Sequence, residues 1–282
     1  MSRSGDHQVT LRTGERVPAL GQGTWFMGED AAERAREVRA LQEGIDLGMT
    51  VIDTAEMYAD GGAEKVTGQA ISGRRDEVFL VSKVLPYNAG HDDCLAACER
   101  SLRRLGTDRL DLYLLHWRGG TPLEETLDAF ATLVADGKIR AWGVSNLDGA
   151  DMAELMALPG GDAVATDQVL YNLTRRWPEW ELVPFCRGRG IPLMAYSPIE
   201  QGRLLRHAAI GDVASSHGVS PAQVALAWLL GKDDVMVIPK ASRVEHVRDN
   251  RAALDLALTE EDLRALDSAF PPPRGRAEME LL

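Results

Sequence analysis

The feature that most constrains this chain is a repeated alternation of short apolar runs with longer amphipathic segments. The apolar runs recur about every 30 residues, which is the length of a strand plus its crossover helix. They are rich in Val, Ile and Leu and mostly lack alternating polar residues, as is typical of strands buried on both faces. The eight predicted strands are Ala19–Gly23, Thr50–Asp53, Val78–Lys83, Leu110–His116, Ile139–Ser145, Val164–Val169, Ile191–Tyr196 and Val235–Pro239.

The segments between these runs carry apolar residues at three- and four-residue spacing, which indicates amphipathic helices. Two helix starts are marked by sequence. Thr121-Pro122-Leu123-Glu124 and Ser220-Pro221-Ala222-Gln223 each combine an N-cap hydroxyl, proline at the first helical position and Glu or Gln at the third. Strands that alternate with helices require a parallel sheet with right-handed crossovers.

Eight repeats in about 250 residues fit a closed (β/α)8 TIM barrel better than an open doubly wound sheet. We therefore predict an α/β fold in which residues 1–282 form one barrel domain. Val9–Leu11 and Val17–Leu20 flank Thr13-Gly14-Glu15 and predict an N-terminal β-hairpin that plugs the bottom of the barrel. The tail, Phe270–Leu282, starts with three prolines and is expected to wrap over a surface.

Composition excludes several classes of protein. The net charge of −12 argues against a nucleic-acid partner or an anionic membrane surface. Three cysteines cannot form a disulfide framework, and we expect Cys94 and Cys98 to be buried. The start, MSRSGDHQVT, has no apolar stretch and no run of about 18 apolar residues follows, so we expect a cytoplasmic protein. His7, His91, His207 and His217 lack ligand-like companions, and no metal site is predicted.

Polar residues end nearly every predicted strand. In a barrel enzyme the carboxyl ends of the strands carry the chemistry. A solvated loop explains any one of these residues alone, but so many on one face of the barrel favour a shared site. They are Asp53, Lys83, His116, Ser145-Asn146, Gln168, Tyr196-Ser197 and Lys240.

The ionisable members of this set, with Tyr58 five residues beyond Asp53, suit the protonation of an alkoxide that forms from a carbonyl. Asp53 would hold the Lys83 ammonium by a charge-assisted hydrogen bond. The ammonium would lower the pKa of Tyr58 from its usual value of about 10 and make it a proton donor near neutral pH. His116 would polarise or orient the substrate oxygen. No nucleophile is present, so a cofactor must supply the hydride.

Over nearly its whole length the chain resembles the aldo-keto reductases, a family of NADPH-dependent barrels. The order and spacing of the matching residues make the resemblance highly specific. These residues are Gly23-Thr24-Trp25, Asp53-Thr54-Ala55-Glu56-Met57-Tyr58, Lys83, Leu115-His116-Trp117, Gly143-Val144-Ser145-Asn146, Gln168, Tyr196-Ser197-Pro198, Ile238-Pro239-Lys240 and Asn250.

The resemblance implies a role for each matching residue. Tyr58 is expected to be the general acid, assisted by Lys83, Asp53 and His116. The resemblance also implies two binding regions. The expected NADPH-binding residues are Ser145, Asn146 and Gln168 at the carboxamide, Tyr196 stacked on the nicotinamide, Ser197, Gly202 and Leu204 along the pyrophosphate, Lys240, Ser242 and Arg243 at the 2′-phosphate, and Asn250 near the adenine. The expected substrate-binding residues are Trp25, Met57 and Trp117.

Three departures from the family pattern bear on specificity. Many relatives carry Arg where this chain has His246 and Ser where it has Ala241, so Arg243 is expected to reach the phosphate instead. Arg118-Gly119-Gly120 replaces a proline that is common in relatives, and the short tail argues against an extensive specificity loop. Both features predict an altered substrate loop.

The residues and the resemblance together predict an NADPH-dependent reductase of aldehydes, with small dicarbonyls such as methylglyoxal as a candidate substrate class. Two alternatives stay open at this point. The same barrel could serve as a regulatory subunit that senses NADPH and binds a partner, or the enzyme could oxidise alcohols in the cell. The resemblance implies a monomer.

Overall fold

Eight parallel strands in consecutive order surround the centre of this computed structural model, which describes residues 7–282. A separate two-stranded antiparallel sheet precedes them. The strands are β1 (Gln8–Thr10), β2 (Arg16–Pro18), β3 (Gln22–Gly23), β4 (Val51–Asp53), β5 (Phe79–Val84), β6 (Leu110–Leu115), β7 (Ile139–Ser145), β8 (Asp167–Leu170), β9 (Leu193–Tyr196) and β10 (Val235–Val237).

Backbone contacts between the first and last strands of the large sheet close the barrel. The Gly21 amide donates to Val237 O at 2.9 Å, and the Val237 amide donates to Ala19 O at 2.7 Å. Gly23 and Lys240 form a further parallel bridge. The (β/α)8 barrel predicted from the sequence is confirmed.

Two of the predicted strands are placed differently in the structure. Only Gln22–Gly23 of the predicted Ala19–Gly23 run forms a regular strand, since the backbone before it joins the last strand through isolated contacts. The run Val164–Val169 was predicted too early, because regular pairing extends over Asp167–Leu170. Residues 164–166 make single hydrogen bonds to β7 instead, such as the one from the Ala165 amide to Trp142 O at 2.9 Å.

Helices connect the barrel strands and cover their outer faces. They are α1 (Arg34–Asp46), α2 (Gly62–Ala70), α3 (His91–Leu105), α4 (Leu123–Ala135), α5 (Gly149–Ala157), α6 (Leu182–Arg187), α7 (Ala208–His217), α8 (Pro221–Leu230), α9 (Val244–Ala252) and α10 (Glu260–Ala269). No helix within residues 7–282 is both long and apolar enough to cross a membrane.

One of the two predicted helix starts is correct in detail. Ser220 caps α8, and its hydroxyl accepts from the Gln223 amide at 3.2 Å. The start at Thr121 was wrong, because Pro122 occupies the cap position of α4 and the Thr121 hydroxyl instead donates to Pro86 O at 3.4 Å. A proline at the cap displaces the hydroxyl by one position and leaves it outside the helix.

The predicted hairpin is present, with β1 and β2 paired from Gln8 opposite Pro18 to Thr10 opposite Arg16. Val9, Leu11 and Val17 are buried in the main core. Because the chain passes directly from this hairpin into β3, the hairpin lies at the amino-terminal end of the barrel. Residues 1–6 of the start MSRSGDHQVT, in which the sequence shows no apolar stretch, lie outside the described range.

The tail beyond α10 crosses the barrel surface without regular secondary structure, as expected. Ala277 and Met279 pack against the core. Cys94, Cys98 and Cys186 are all buried and free. The interior of the structure therefore contains three thiols that no disulfide uses.

Asp167 is a buried carboxyl group on the outer face of β8. Its neighbour Gln168 points into the barrel, so strand alternation directs Asp167 toward the surrounding helices. Neither carboxyl oxygen has a hydrogen-bond partner of good geometry among residues 7–282. Burial raises the pKa of Asp167 well above its usual value, and the backbone of Leu147 offsets only part of that rise.

We expect Asp167→Asn to stabilise the protein at neutral and alkaline pH. The folded state binds a proton that the unfolded chain releases near pH 4, so the free energy of unfolding falls as pH rises from there toward the folded pKa. The slope is at most about 1.4 kcal/mol per pH unit. Asparagine does not titrate and removes this slope. Urea unfolding of both proteins at pH 4 and pH 8 measures the effect, and parallel stability curves would contradict it.

Candidate active site

The centre of the candidate site is a buried ion pair between Asp53, at the end of β4, and Lys83, in β5. Lys83 Nζ donates to Asp53 Oδ2 at 2.7 Å, to Thr54 O at 2.9 Å and to Tyr58 Oη at 3.1 Å. The Lys83 side chain is fully buried. These three acceptors match the three donors of an ammonium group and fix the Tyr58 hydroxyl at the carboxyl end of the barrel.

The electrostatics of Tyr58 differ from the sequence-based expectation. We expected the ammonium to lower the tyrosine pKa, but burial and the nearby Asp53 carboxylate raise it well above its usual value. Burial disfavours the charged phenolate form of Tyr58. The Lys83 ammonium does not compensate for this, because it is already paired with Asp53. Tyr58 is therefore protonated at neutral pH. No acceptor for its O–H is found in the described part of the chain, so its proton is free to be donated.

His116 follows β6 and lies beside Tyr58. The two rings meet edge to face with centroids 5.7 Å apart. Burial, helped by the charge of Lys83, lowers the pKa of His116 to about 2. Its Nδ1 atom is buried without a partner among the described residues. The ring is therefore a neutral imidazole, which has one N–H to donate and carries no charge.

The polar residues that end β7, β8 and β9 form one hydrogen-bonded network. Tyr196 Oη donates to Asn146 Oδ1 at 3.0 Å, and Asn146 Nδ2 donates to His116 O at 3.1 Å. The Ser145 hydroxyl donates to Gln168 O at 2.8 Å. Gln168 Nε2 donates to Asp53 Oδ1 at 2.7 Å, which connects this network to the ion pair. The structure thus brings these predicted residues together.

A cavity of about 710 Å³ opens at the carboxyl ends of the strands. It extends from Asp53 and Tyr58 to the region of α9. Lys240, which follows β10, makes no ion pair within residues 7–282, and burial lowers its pKa. The predicted site residues that line the cavity are Trp25, Asp53, Tyr58, Tyr196, Ser197, Gly202, Lys240 and Asn250.

Several predicted binding residues lie off this cavity wall. The Leu204 side chain is buried in the core, and the neighbouring Leu205 lines the cavity instead. Ser242 and Arg243 precede α9 without reaching the wall. Met57 is 46% exposed beside Tyr58. These positions neighbour cavity residues in the sequence, but they are not part of the cavity wall.

Trp117 is also off the cavity wall and packs on the ring of His116 at 5.0 Å between centroids. Its other face meets Tyr87 at 6.3 Å, edge to face. Tyr87 is 79% exposed. Together these rings form an apolar rim beside the ionisable groups.

Sequence reasoning assigned no role to several residues of the cavity wall, among them Phe26, Asp249 and His246. Phe26 has φ of 65°, which an aromatic residue rarely adopts, and stacks on Trp25 with centroids 4.5 Å apart. A backbone angle leaves no signal in the sequence. For Asp249, its position next to Asn250 on α9 was a sequence signal that it lies near the predicted adenine site. Its carboxylate accepts from the Ser220 hydroxyl at 2.7 Å.

An eight-stranded parallel barrel with an ionisable cluster and a deep cavity at its carboxyl strand ends is the architecture of a barrel enzyme. Comparison with known proteins narrows that class. The model of the Aldo/keto reductase family matches residues 19–270. This chain therefore belongs to the aldo/keto reductase family and is an oxidoreductase.

Individual relatives match along nearly their whole length. Methylglyoxal reductase YeaE of Escherichia coli (strain K12) is 55% identical over 271 residues, which cover 94% of this chain and 95% of that protein. Glyoxal reductase of Bacillus subtilis (strain 168) is 36% identical over 261 residues, which cover 92% of this chain and 91% of that protein. A Klebsiella pneumoniae aldo/keto reductase, crystallised with NADP and acetate, is 52% identical with a TM-score of 0.96, covering 98% of this chain and 100% of that one.

We expect the imidazole of His116 to stay neutral from pH 8 down to pH 4, because its pKa is lowered to about 2. The denatured chain provides the control, since an unperturbed imidazole titrates near 6.5. The folded state thus binds fewer protons than the unfolded chain below pH 6.5, and His116 destabilises the fold as pH falls. The ¹⁵N shifts of the His116 ring, followed by NMR, test this. A midpoint near 6.5 in the folded protein would contradict the assignment.

Proposed function

We propose that this enzyme uses NADPH to reduce small aldehydes and dicarbonyls of the methylglyoxal type to alcohols. One observation carries the proposal: the Tyr58 O–H, held by Lys83 at 3.1 Å, has no acceptor among residues 7–282 and lies on the wall of the cavity. The names of the relatives support the substrate class, since two of them are a methylglyoxal reductase and a glyoxal reductase.

The residues that line the cavity fit a nicotinamide dinucleotide in their chemistry. Tyr196 offers an aromatic face, and Lys240 offers a cation that has no ion-pair partner among residues 7–282. Gly202, with φ of 83°, has open space where a Cβ would be. Lys240 would meet the 2′-phosphate, and the backbone of 197–202 would follow the pyrophosphate. When bound there, NADPH supplies the hydride.

Asn146, Ser145 and Gln168 would present amide and hydroxyl groups to the carboxamide. Their mutual hydrogen bonds already fix their side chains, so little order is lost when the cofactor binds. The cavity residues that this proposal adds to the sequence-based set are Asp249 and His246, near Asn250. The predicted contacts of Ser242, Arg243 and Leu204 with the cofactor would require these residues to move toward the cavity, since none of them lines it.

In the reaction, Tyr58 donates its proton to the substrate oxygen as negative charge develops there. Lys83 then stabilises the phenolate that remains, at the 3.1 Å distance already present. His116, as a neutral imidazole, donates its N–H to the same oxygen and orients the carbonyl. Asp53 keeps the ammonium charged and in place. Trp25, with Phe26, provides an apolar wall that excludes water from the reacting oxygen.

We expect Tyr58→Phe to lower turnover by about 10²–10⁴-fold while NADPH binding stays nearly unchanged. The phenyl ring preserves the packing, and only the proton donor is lost. Tyr87→Phe is the matched control, because Tyr87 lies on the rim and is 79% exposed. NADPH consumption with methylglyoxal measures both variants.

The same assay separates catalysis from NADPH sensing. A sensor would give at most one slow turnover with the native chain, which would contradict the proposed function. Near-native rates in the Tyr58→Phe variant would show that the proton comes from another group.

We expect Lys240→Ala to weaken NADPH binding by about 1.5–3 kcal/mol, the usual contribution of a hydrogen bond to a charged group, while NADH binding barely changes. The 2′-phosphate is the only difference between the two cofactors. Lys65→Ala, which removes an exposed lysine from α2, is the control for net charge. Fluorescence titrations at low and high salt measure the affinities, and added salt should reduce the preference. Equal losses for both cofactors would rule out this role for Lys240.

A further inference from the structure

The loop after β9, residues 197–202, has a backbone conformation that needs external support. We call it the cavity loop, because Ser197, Gln201 and Gly202 line the cavity. Ser197, Glu200 and Gln201 have φ of 51°, 49° and 53°, in the left-handed region. Residues with side chains rarely adopt these angles, and several so close together persist only where surrounding contacts hold them.

The support comes from the turn after β8. Asn172 Nδ2 donates to Ser197 O at 3.0 Å and to Glu200 Oε2 at 2.8 Å. Arg175 donates to Glu200 Oε1 through two nitrogens, at 3.1 and 3.3 Å. Glu200 is buried, but these bonds outweigh its desolvation and lower its pKa. The cavity loop is thus held through one buried carboxylate.

The same guanidinium of Arg175 also binds the carboxyl-terminal tail. Its third nitrogen, Nη1, donates to Glu280 Oε2. We call residues 270–282 the strap. The strap is anchored at its first residue, where Arg176 Nη1 donates to Phe270 O at 2.6 Å. It is also anchored midway, where Arg276 Nε lies 3.4 Å from Glu181 Oε2.

The end of the strap reaches the cavity wall as well. Burial raises the pKa of Tyr196, and the nearby backbone of Leu282 offsets part of that rise. Tyr196 lines the cavity and donates to Asn146. The strap therefore approaches the cavity wall near Tyr196, and it shares the guanidinium of Arg175 with the cavity loop.

We propose that Arg175 is a positioning residue that couples the strap to the cavity loop, so that cofactor binding and the order of the strap depend on each other. The inference rests on the proposed function, because it takes the ligand beside the cavity loop to be NADPH. Arg175 does not line the cavity, and it acts through Glu200 and Glu280.

The planar fork of arginine makes this coupling possible. Its nitrogens point in fixed directions, so two carboxylates bind well only when both are correctly placed. A ligand that fixes the cavity loop in turn fixes Glu200 and the fork, and thereby favours the bound position of Glu280. Linkage requires the converse: an ordered strap must strengthen cofactor binding by the same factor.

Four variants separate coupling from simple packing. Arg175→Gln is expected to raise the Kd for NADPH about tenfold, within the usual range of coupling between sites, with kcat within about twofold of native. Glu280→Gln, which leaves the Arg175–Glu200 contact intact, is expected to raise the Kd about threefold. Arg175→Lys keeps the charge without the fork and should fall between native and Arg175→Gln. Arg276→Gln loosens the strap away from the cavity loop and should leave the Kd unchanged.

Hydrogen exchange of strap peptides supplies a readout that a purely structural role would not move. In the native chain, NADPH is expected to slow exchange in residues 271–282, and in Glu280→Gln it should not. If Arg175→Gln fails to fold, Glu280→Gln and Arg175→Lys carry the test alone.

The outcomes are distinct. If NADPH does not bind the native chain, that result contradicts the proposed function and therefore this inference as well. Tight binding in all four variants, or equal strap protection in native and Glu280→Gln proteins, overturns the coupling and leaves the proposed function intact.

Discussion

The active site depends on one buried ammonium group. Lys83 Nζ sits inside the barrel with no exposed surface, and an unpaired charge in such a place would cost many kcal/mol. The structure offsets this cost with the Asp53 carboxylate, a backbone carbonyl and the Tyr58 hydroxyl. Because all three donors are used, the ammonium cannot turn. The position of the tyrosine is consequently fixed by the requirement to solvate a lysine.

That requirement extends across the barrel. The second oxygen of Asp53 accepts from Gln168 in β8, far from Asp53 in the chain, and Gln168 O accepts from Ser145 in β7. Residues assigned to proton transfer and residues assigned to cofactor binding therefore share one network. Removing one partner of the ion pair leaves the other as a buried unpaired charge, so stability and activity are expected to change together.

Much of this arrangement could be predicted from the sequence. Alternating apolar runs specify parallel strands, and the residues at their ends must share a face of the barrel, so Asp53, Lys83, His116 and Gln168 could be placed without coordinates. The direction of the Tyr58 pKa shift could not be predicted from the sequence, because it depends on how far packing removes water from the hydroxyl. The sequence also could not predict that Leu205 rather than Leu204 lines the cavity, or that Phe26 has a positive φ. Sequence patterns report periodicity and chemistry, whereas these features depend on local backbone geometry.

The burial of the three thiols has a consequence for an enzyme that takes up reactive carbonyls. Burial raises the pKa of Cys94 and of Cys98 to about 12, and it raises that of Cys186 as well. The thiolate is the form of cysteine that attacks a carbonyl carbon, and these sulfurs are both protonated and buried. An aldehyde that enters the cavity meets hydroxyl, imidazole and aromatic groups, but no sulfur nucleophile among residues 7–282. The burial of these thiols thus protects them from adduct formation with the compounds that the enzyme is proposed to reduce.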